Sequence, residues 1–222
     1  MILKGKTAII TGAGAGIGAA TAARFAREGA NLTLVDINPS GLSRVESECR
    51  GHGAGVLALG KDASALSAMD EIAARTLEAF GRIDILVNNA AHRVFKPFLE
   101  VGPEEFRRTL EVNVFGYYFL IQKVVPHMVK AGGGRVINLA STFGLVGSPN
   151  LSPYCVCKGA VVNMTRTLAL ELAEKNIRVN AVAPGPIDTE GMRDIFHADP
   201  KVLEMRLADV PFHRLGRAEE MA

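Results

Sequence analysis

Short apolar runs alternate with amphipathic stretches along this chain, and the alternation predicts strands and helices in turn. Thr7-Ala8-Ile9-Ile10-Thr11 reads as a buried strand, Gly12 to Gly18 breaks it, and an alanine-rich helix runs on to Glu28. Further strands are expected at Asn31 to Val35, Gly55 to Gly60, Ile83 to Asn88, Arg135 to Leu139 and Arg178 to Ala183. Helices are expected at Ser64 to Phe80, from near Tyr154 onward, and over Pro103 to Lys130, where Gly116 and Pro126 are placed to bend the helix. Six strands alternating with helices form an α/β, doubly wound parallel sheet covered on both faces. With right-handed crossovers, a ligand lies across the carboxyl ends of the strands. Asp62, Asn88-Asn89-Ala90-Ala91, Ser141 and Pro184-Gly185 all fall just past strand ends.

Composition narrows the setting. The 222 residues, 48% hydrophobic and 22% charged, suit one domain over 1–222, with no linker visible. A net charge of +2 gives no nucleic-acid or membrane footprint, and no apolar run has the length of a membrane span. Cys49, Cys155 and Cys157 do not form a disulfide framework, and Cys-x-Cys on one helix lacks zinc-site spacing, so packing is the reading and no metal is expected. His197 and Asp199, without a third partner, read as loop. With no export signal before the first strand, a cytoplasmic location follows.

The glycine-rich break carries the first chemistry. Between a strand and a helix, glycines let the backbone approach a phosphate, and the helix amino terminus binds it. The spacing is Gly-x-x-x-Gly-x-Gly through Gly12, Gly16 and Gly18, with Ile17 where another fingerprint has glycine. Asp36 follows the second strand at the distance of an acid that grips adenosine ribose hydroxyls. Its carboxylate repels a 2′-phosphate, and Ala13, Ala15, Ile37 and Asn38 carry no neutralising charge, so NAD is inferred over NADP. The bland alternative is an aspartate capping the turn into Pro39.

Tyr154 and Lys158 stand four apart on a helix, which places a phenol and an ammonium on one face. A nearby cation favours the phenolate, which makes the pair an acid/base device; a surface tyrosine is the alternative. Together with Thr11 to Gly18, Asp62, Asn88-Asn89-Ala90, Asn113, Ser141 thirteen residues before Tyr154, and Pro184-Gly185 with Thr189, the chain resembles the short-chain dehydrogenase/reductase family over essentially its whole length.

That resemblance implies a Rossmann-type, NAD(P)-dependent oxidoreductase acting on a small-molecule secondary alcohol or ketone. It implies that Tyr154 is the acid/base, that Lys158 lowers its pKa and holds the nicotinamide ribose, and that Ser141 positions the substrate oxygen. Asn113 would support a water-linked proton path, and Asp62 would contact the adenine. Gly12, Gly16, Ile17, Gly18, Asn89, Ala90, Pro184, Gly185, Ile187 and Thr189 would border the cofactor, and a homodimer or homotetramer is expected. Ala91 stands where the family pattern has glycine. The chain also stops at Ala222, before the family's seventh strand, so an exposed sixth-strand edge is expected and a nucleotide-binding module without catalysis is the alternative function.

Substrate choice is less legible. Ile187 to Pro211 has the character of a lid, with Met192, Ile195 and Phe196 as apolar contacts and Gly185 and Gly191 as hinges. Phe143, Leu145 and Val146 are a candidate facing wall. His92, Arg93 and Lys96 suggest an anionic handle on the substrate, against a solvated loop; Arg107-Arg108 reads as a solvated helix face.

Overall fold

Pairing of the apolar runs orders the chain. The computed structural model describes residues 1–193, 203–204, 207–208 and 210–222. Its elements are β1 (Thr7–Thr11), α1 (Gly16–Arg27), β2 (Asn31–Asp36), α2 (Pro39–Gly51), β3 (Val56–Gly60), α3 (Leu66–Phe80), β4 (Ile85–Asn88), α4 (Pro103–Leu110), α5 (Gly116–Lys130), β5 (Gly134–Leu139), α6 (Ser152–Glu171) and β6 (Ile177–Val182). The six strands form one parallel sheet in the order β3-β2-β1-β4-β5-β6. The direction of winding reverses between β1 and β4, which opens a crevice beyond their carboxyl ends.

Alternation along each strand divides the core in two. Ala8 and Ile10 of β1 pack with Ala22 and Ala26 of α1 and Val45 and Cys49 of α2, while Ile9 packs with Ile72 of α3 and Leu120 and Val124 of α5. The α2 helix is absent from the expectations above because its buried face is only Leu42, Val45 and Cys49. Asn38 caps it by accepting from the Gly41 N–H at 3.2 Å.

The long helical stretch is interrupted, though not where its Pro126 suggested. A wide π turn, Glu111–Phe115, separates α4 from α5, and Pro126 lies inside α5. A second departure is β7 (Ile187–Asp188), which pairs in parallel with β8 (Gly216–Arg217) and holds the two ends of the intervening segment together. At the far side β6 forms the sheet edge, with Asn180, Ala181 and Val182 exposed. Among the described residues no helix is long and apolar enough to cross a membrane.

The amino ends of β1 and β4 are clamped by Asp84. Its carboxylate accepts from the Thr7 N–H at 2.9 Å, from Arg82 at 2.6 and 2.7 Å, and from Lys6 at 3.3 Å. Burial pulls its pKa up, but the bonds from Arg82 and Thr7 and the Lys6 charge outweigh burial and hold it below the usual carboxylate range. A depressed folded-state pKa stabilises above the unfolded value and is lost as pH falls through the folded one. Asp84→Asn should therefore cost about 2 kcal/mol at neutral pH, with the deficit shrinking below about pH 4. Urea unfolding across pH checks this; a deficit that grows in acid would contradict it.

Candidate active site

Close backbone approach builds the first half of the site. Gly12 has φ 64°, and a Cβ there would lie 2.8 Å from Ala90 Cα and from Asn89 Nδ2; one on Gly18 would run into the Gly12 carbonyl and Asn89. Asn89 Nδ2 donates to the Thr11 and Gly12 carbonyls at 2.9 and 3.0 Å, and Thr11 Oγ1 accepts from the Asn89 and Ala90 N–H groups. The turn is thus stapled to the end of β4. No side chain of its own N-cap, Ala15, covers the α1 amino terminus. Instead the Gly16 N–H donates to Glu190 Oε2 at 3.1 Å, and that carboxylate lies 3.7 Å from Arg44. This helix end already holds an anionic oxygen, so a dinucleotide's pyrophosphate fits it. Asp36 accepts from the Gly14 and Asn38 N–H groups, both at 2.8 Å.

Burial builds the second half. Lys158 is 1% exposed, donates to the Leu139 carbonyl at 2.5 Å and to the Tyr117 hydroxyl at 3.4 Å, and lies 5.1 and 5.5 Å from the ring centres of Tyr117 and Tyr154. Ser141 follows β5, and its hydroxyl accepts from the Phe143 N–H at 3.2 Å, capping a short turn, Thr142–Gly144. That turn sits directly on α6: a Cβ on Gly144 would be 2.6 Å from the Lys158 carbonyl. Ser141 is thereby fixed against Tyr154. Burial pushes the Tyr154 phenol up, opposed by the Arg93 charge and the Ser141 side chain. Burial also takes Lys158 down to about 7. Burial thus works against the lowering of Tyr154 expected from Lys158, because a dry pocket disfavours both charges at once.

The two halves share one cleft of about 350 Å³. Gly12, Gly16, Ile17, Asn89 and Ala90 line one side; Ser141, Tyr154 and Lys158 line the other, with Pro184, Gly185, Ile187 and Thr189 along the rim.

This architecture has known counterparts. Residues 6–200 match the family model described as short chain dehydrogenase. The chain belongs to the short-chain dehydrogenase family. A sorbitol dehydrogenase of Cereibacter sphaeroides is 39% identical, with 100% of this chain aligned to 89% of the relative. A crystal structure of NAD+-bound xylitol dehydrogenase superposes with TM-score 0.94 at 34% identity, covering 100% of this chain and 90% of that one. A 7α-hydroxysteroid dehydrogenase complexed with NADH and 7-oxo glycochenodeoxycholic acid gives TM-score 0.93 at 37% identity, covering 99% and 85%.

Within this short-chain dehydrogenase, other expected residues lie away from the cleft walls. Gly18 is buried behind them. Asp62 accepts from Ser64 and, at 2.6 Å, from Arg108, so Arg108 is an ion-pair partner rather than a solvated face; Arg107 pairs with Glu104. Asn113 sits in the π turn and donates to the His92 and Thr109 carbonyls at 2.8 and 2.9 Å. Its Oδ1 is buried and meets no donor among the described residues. Cys157 is fully buried, as packing requires. Ile195, Phe196, His197 and Asp199 lie outside the described residues. Met192 lines the cleft with Phe143, and Val146 lines the cavity beside it. Leu145, 61% exposed, belongs to neither wall. The sequence reading missed Tyr117, although it lies one helical turn beyond Asn113, and Glu190, for which no local signal exists.

Lys158 makes the site sensitive to pH. Its folded-state pKa, about 7 against an ordinary 10.5, lies below the unfolded one, so stability at this position rises as pH climbs through that window. Cys49 and Cys157, pushed up to about 11 by burial from 9.0, act oppositely at higher pH. The stability of the wild type relative to Lys158→Met should therefore rise by about 1 kcal/mol per pH unit between pH 7 and 9. Paired urea titrations measure it, and a flat difference would contradict a depressed lysine.

Proposed function

We propose that this chain is an NAD-dependent enzyme that moves a hydride between the cofactor and a secondary alcohol or the corresponding ketone. One observation carries the reading: Ser141, Tyr154 and Lys158 open into the same cleft as the glycine turn at the α1 amino terminus. Gly12, Gly16, Ile17, Asn89 and Ala90 would border the cofactor on one side, and Pro184, Gly185, Ile187 and Thr189 on the other. Asp36 would face the adenosine ribose, and Lys158 the nicotinamide ribose. Asp62, held by Arg108 and Ser64, would edge the adenine end. A nicotinamide held by these residues would supply the hydride acceptor for the carbinol carbon and, in its oxidised form, a positive charge in the cleft.

The protein supplies position and proton transfer. In oxidation, Tyr154 takes the hydroxyl proton while Ser141 holds the substrate oxygen; in reduction the same phenol returns it. A phenol raised by burial begins as a donor, so oxidation depends on positive charge gathering near it. Lys158 in its ammonium form provides part of that charge. The Tyr117 hydroxyl beside Lys158 and the Asn113 Oδ1, which meets no donor among the described residues, support a proton path running inward from Tyr154, with water as the connecting group.

Asp36 supports NAD, since its carboxylate disfavours a 2′-phosphate. Arg44, packed on the same turn, donates to the Gly14 carbonyl at 3.2 Å and neighbours Glu190. Exposed Phe115, Tyr118 and Val129 around α5 and Val156 and Leu170 on α6 suit the interfaces of a homodimer or homotetramer. Free thiols throughout fit a reducing, cytoplasmic setting.

Tyr154→Phe is the experiment that tests the function. It should bind NADH as the wild type does, followed by cofactor fluorescence, and lose turnover about 1000-fold; near-normal turnover would contradict the mechanism. For cofactor choice, kcat/KM with NAD should exceed that with NADP by about 100-fold, and Asp36→Asn should narrow the ratio. Turnover with NADP alone would overturn the NAD assignment.

A further inference from the structure

Three basic residues follow β4, and the structure separates them. Lys96 pairs with Glu105 at 2.5 Å. His92 faces the Thr109 hydroxyl at 3.3 Å, and burial, then the Arg108 charge, lowers its pKa. Arg93 alone of the three lines the cleft that holds Ser141 and Tyr154. Among the described residues it makes no ion pair; its guanidinium donates to the Met192 sulfur at 2.8 Å. A thioether is a weak acceptor, so most of a five-donor planar fork is left unused at the edge of a reaction site. Arg93 lines this cleft together with Tyr154 and Lys158, and its charge lowers the pKa of both. The acid in the same cleft, Glu190, has a cation of its own in Arg44, at 3.7 Å.

The space beyond Arg93 differs in character. A second cavity of about 800 Å³ shares Phe95, Phe143 and Ile187 with the first and is walled further by Val146, Pro211 and Phe212. A molecule that satisfies both regions has an anionic group close to its carbinol and an apolar remainder.

We propose that Arg93 is a specificity residue that binds the carboxylate of a hydroxy-acid substrate, or of the matching keto acid, whose acid group lies within two or three bonds of the reacting carbon. The apolar chain of that substrate runs into the cavity behind Phe95 and Phe143. Planar carboxylate against planar guanidinium gives two parallel N–H···O bonds and fixes which carbon faces the nicotinamide. The inference rests on the dehydrogenase reading above, and a binding measurement separates the two.

The probes are 3-hydroxyoctanoate, as both enantiomers, and the methyl ester of each, which keeps the carbinol and chain but removes the charge. With saturating NADH the alcohol cannot react, so titration calorimetry reads binding alone. The acid should bind about 30-fold tighter than the ester. Arg93→Met should bring the ratio near one, and Arg93→Lys should keep part of it, with thermal melts confirming that both variants fold. Equal affinity of acid and ester, no binding of the acid, or a preference that survives Arg93→Met overturns the proposal. A loss of NADH affinity in Arg93→Met would assign the residue to the cofactor and overturn it too. Parallel assays with NAD+ test the underlying reading: an Arg93-dependent preference without NADH formation supports the carboxylate site and sinks the dehydrogenase, whereas turnover of ester and acid alike does the reverse.

Discussion

A lysine ammonium buried beneath the cleft, with no carboxylate partner among the described residues, is the constraint on which the site depends. Removing such a charge from water is expensive, and the protein offsets it with oriented dipoles rather than an ion pair. The Leu139 carbonyl at the end of β5, the Tyr117 hydroxyl on α5 and the faces of two phenol rings surround Lys158. Each comes from a different element, so the groove between sheet and helices must close correctly before any of them can serve. The same burial that makes the arrangement costly brings the ammonium to about 7, where it can take part in proton traffic at neutral pH.

Sheet topology explains how this dry centre meets a dinucleotide. The β1–β4 junction at the switch point presents the glycine turn, and the next strand, β5, presents Ser141 and supports Lys158. Asn89 and Thr11 lock the turn to β4, while Asp84 locks the opposite ends of the same two strands. The separation of the glycine turn from Ser141 is therefore set by backbone pairing, the stiffest part of the fold. The rim is set differently, by the two-residue ladder of β7 with β8.

The strands and the Tyr154–Lys158 face were legible in the sequence because buried parallel strands are short and apolar throughout, and because helical spacing alone brings residues i and i+4 together. What stayed hidden depends on contacts distant in sequence. Of the two local markers in the long helical stretch, Gly116 directly follows the π turn at Glu111–Phe115, while Pro126 interrupts nothing. Arg93 and Lys96 look alike in the sequence; only the position of Glu105 on α4 neutralises one and leaves the other facing the cleft. Arg108 looked solvated until β3 brought Asp62 to it. The burial that opposes ionisation of Tyr154 stayed hidden for a related reason: spacing shows that a cation is near, but not that both groups are dry.

Hydride transfer within this cleft is the central claim, and isotope transfer tests it most directly. Incubation of the protein with NAD+ and secondary alcohols deuterated at the carbinol carbon, both 3-hydroxyoctanoate and cyclohexanol, should yield reduced cofactor carrying one deuterium at C4 of the nicotinamide, detected by mass spectrometry and NMR. Binding of NAD+ with no label reaching the cofactor from either class of alcohol would contradict the account.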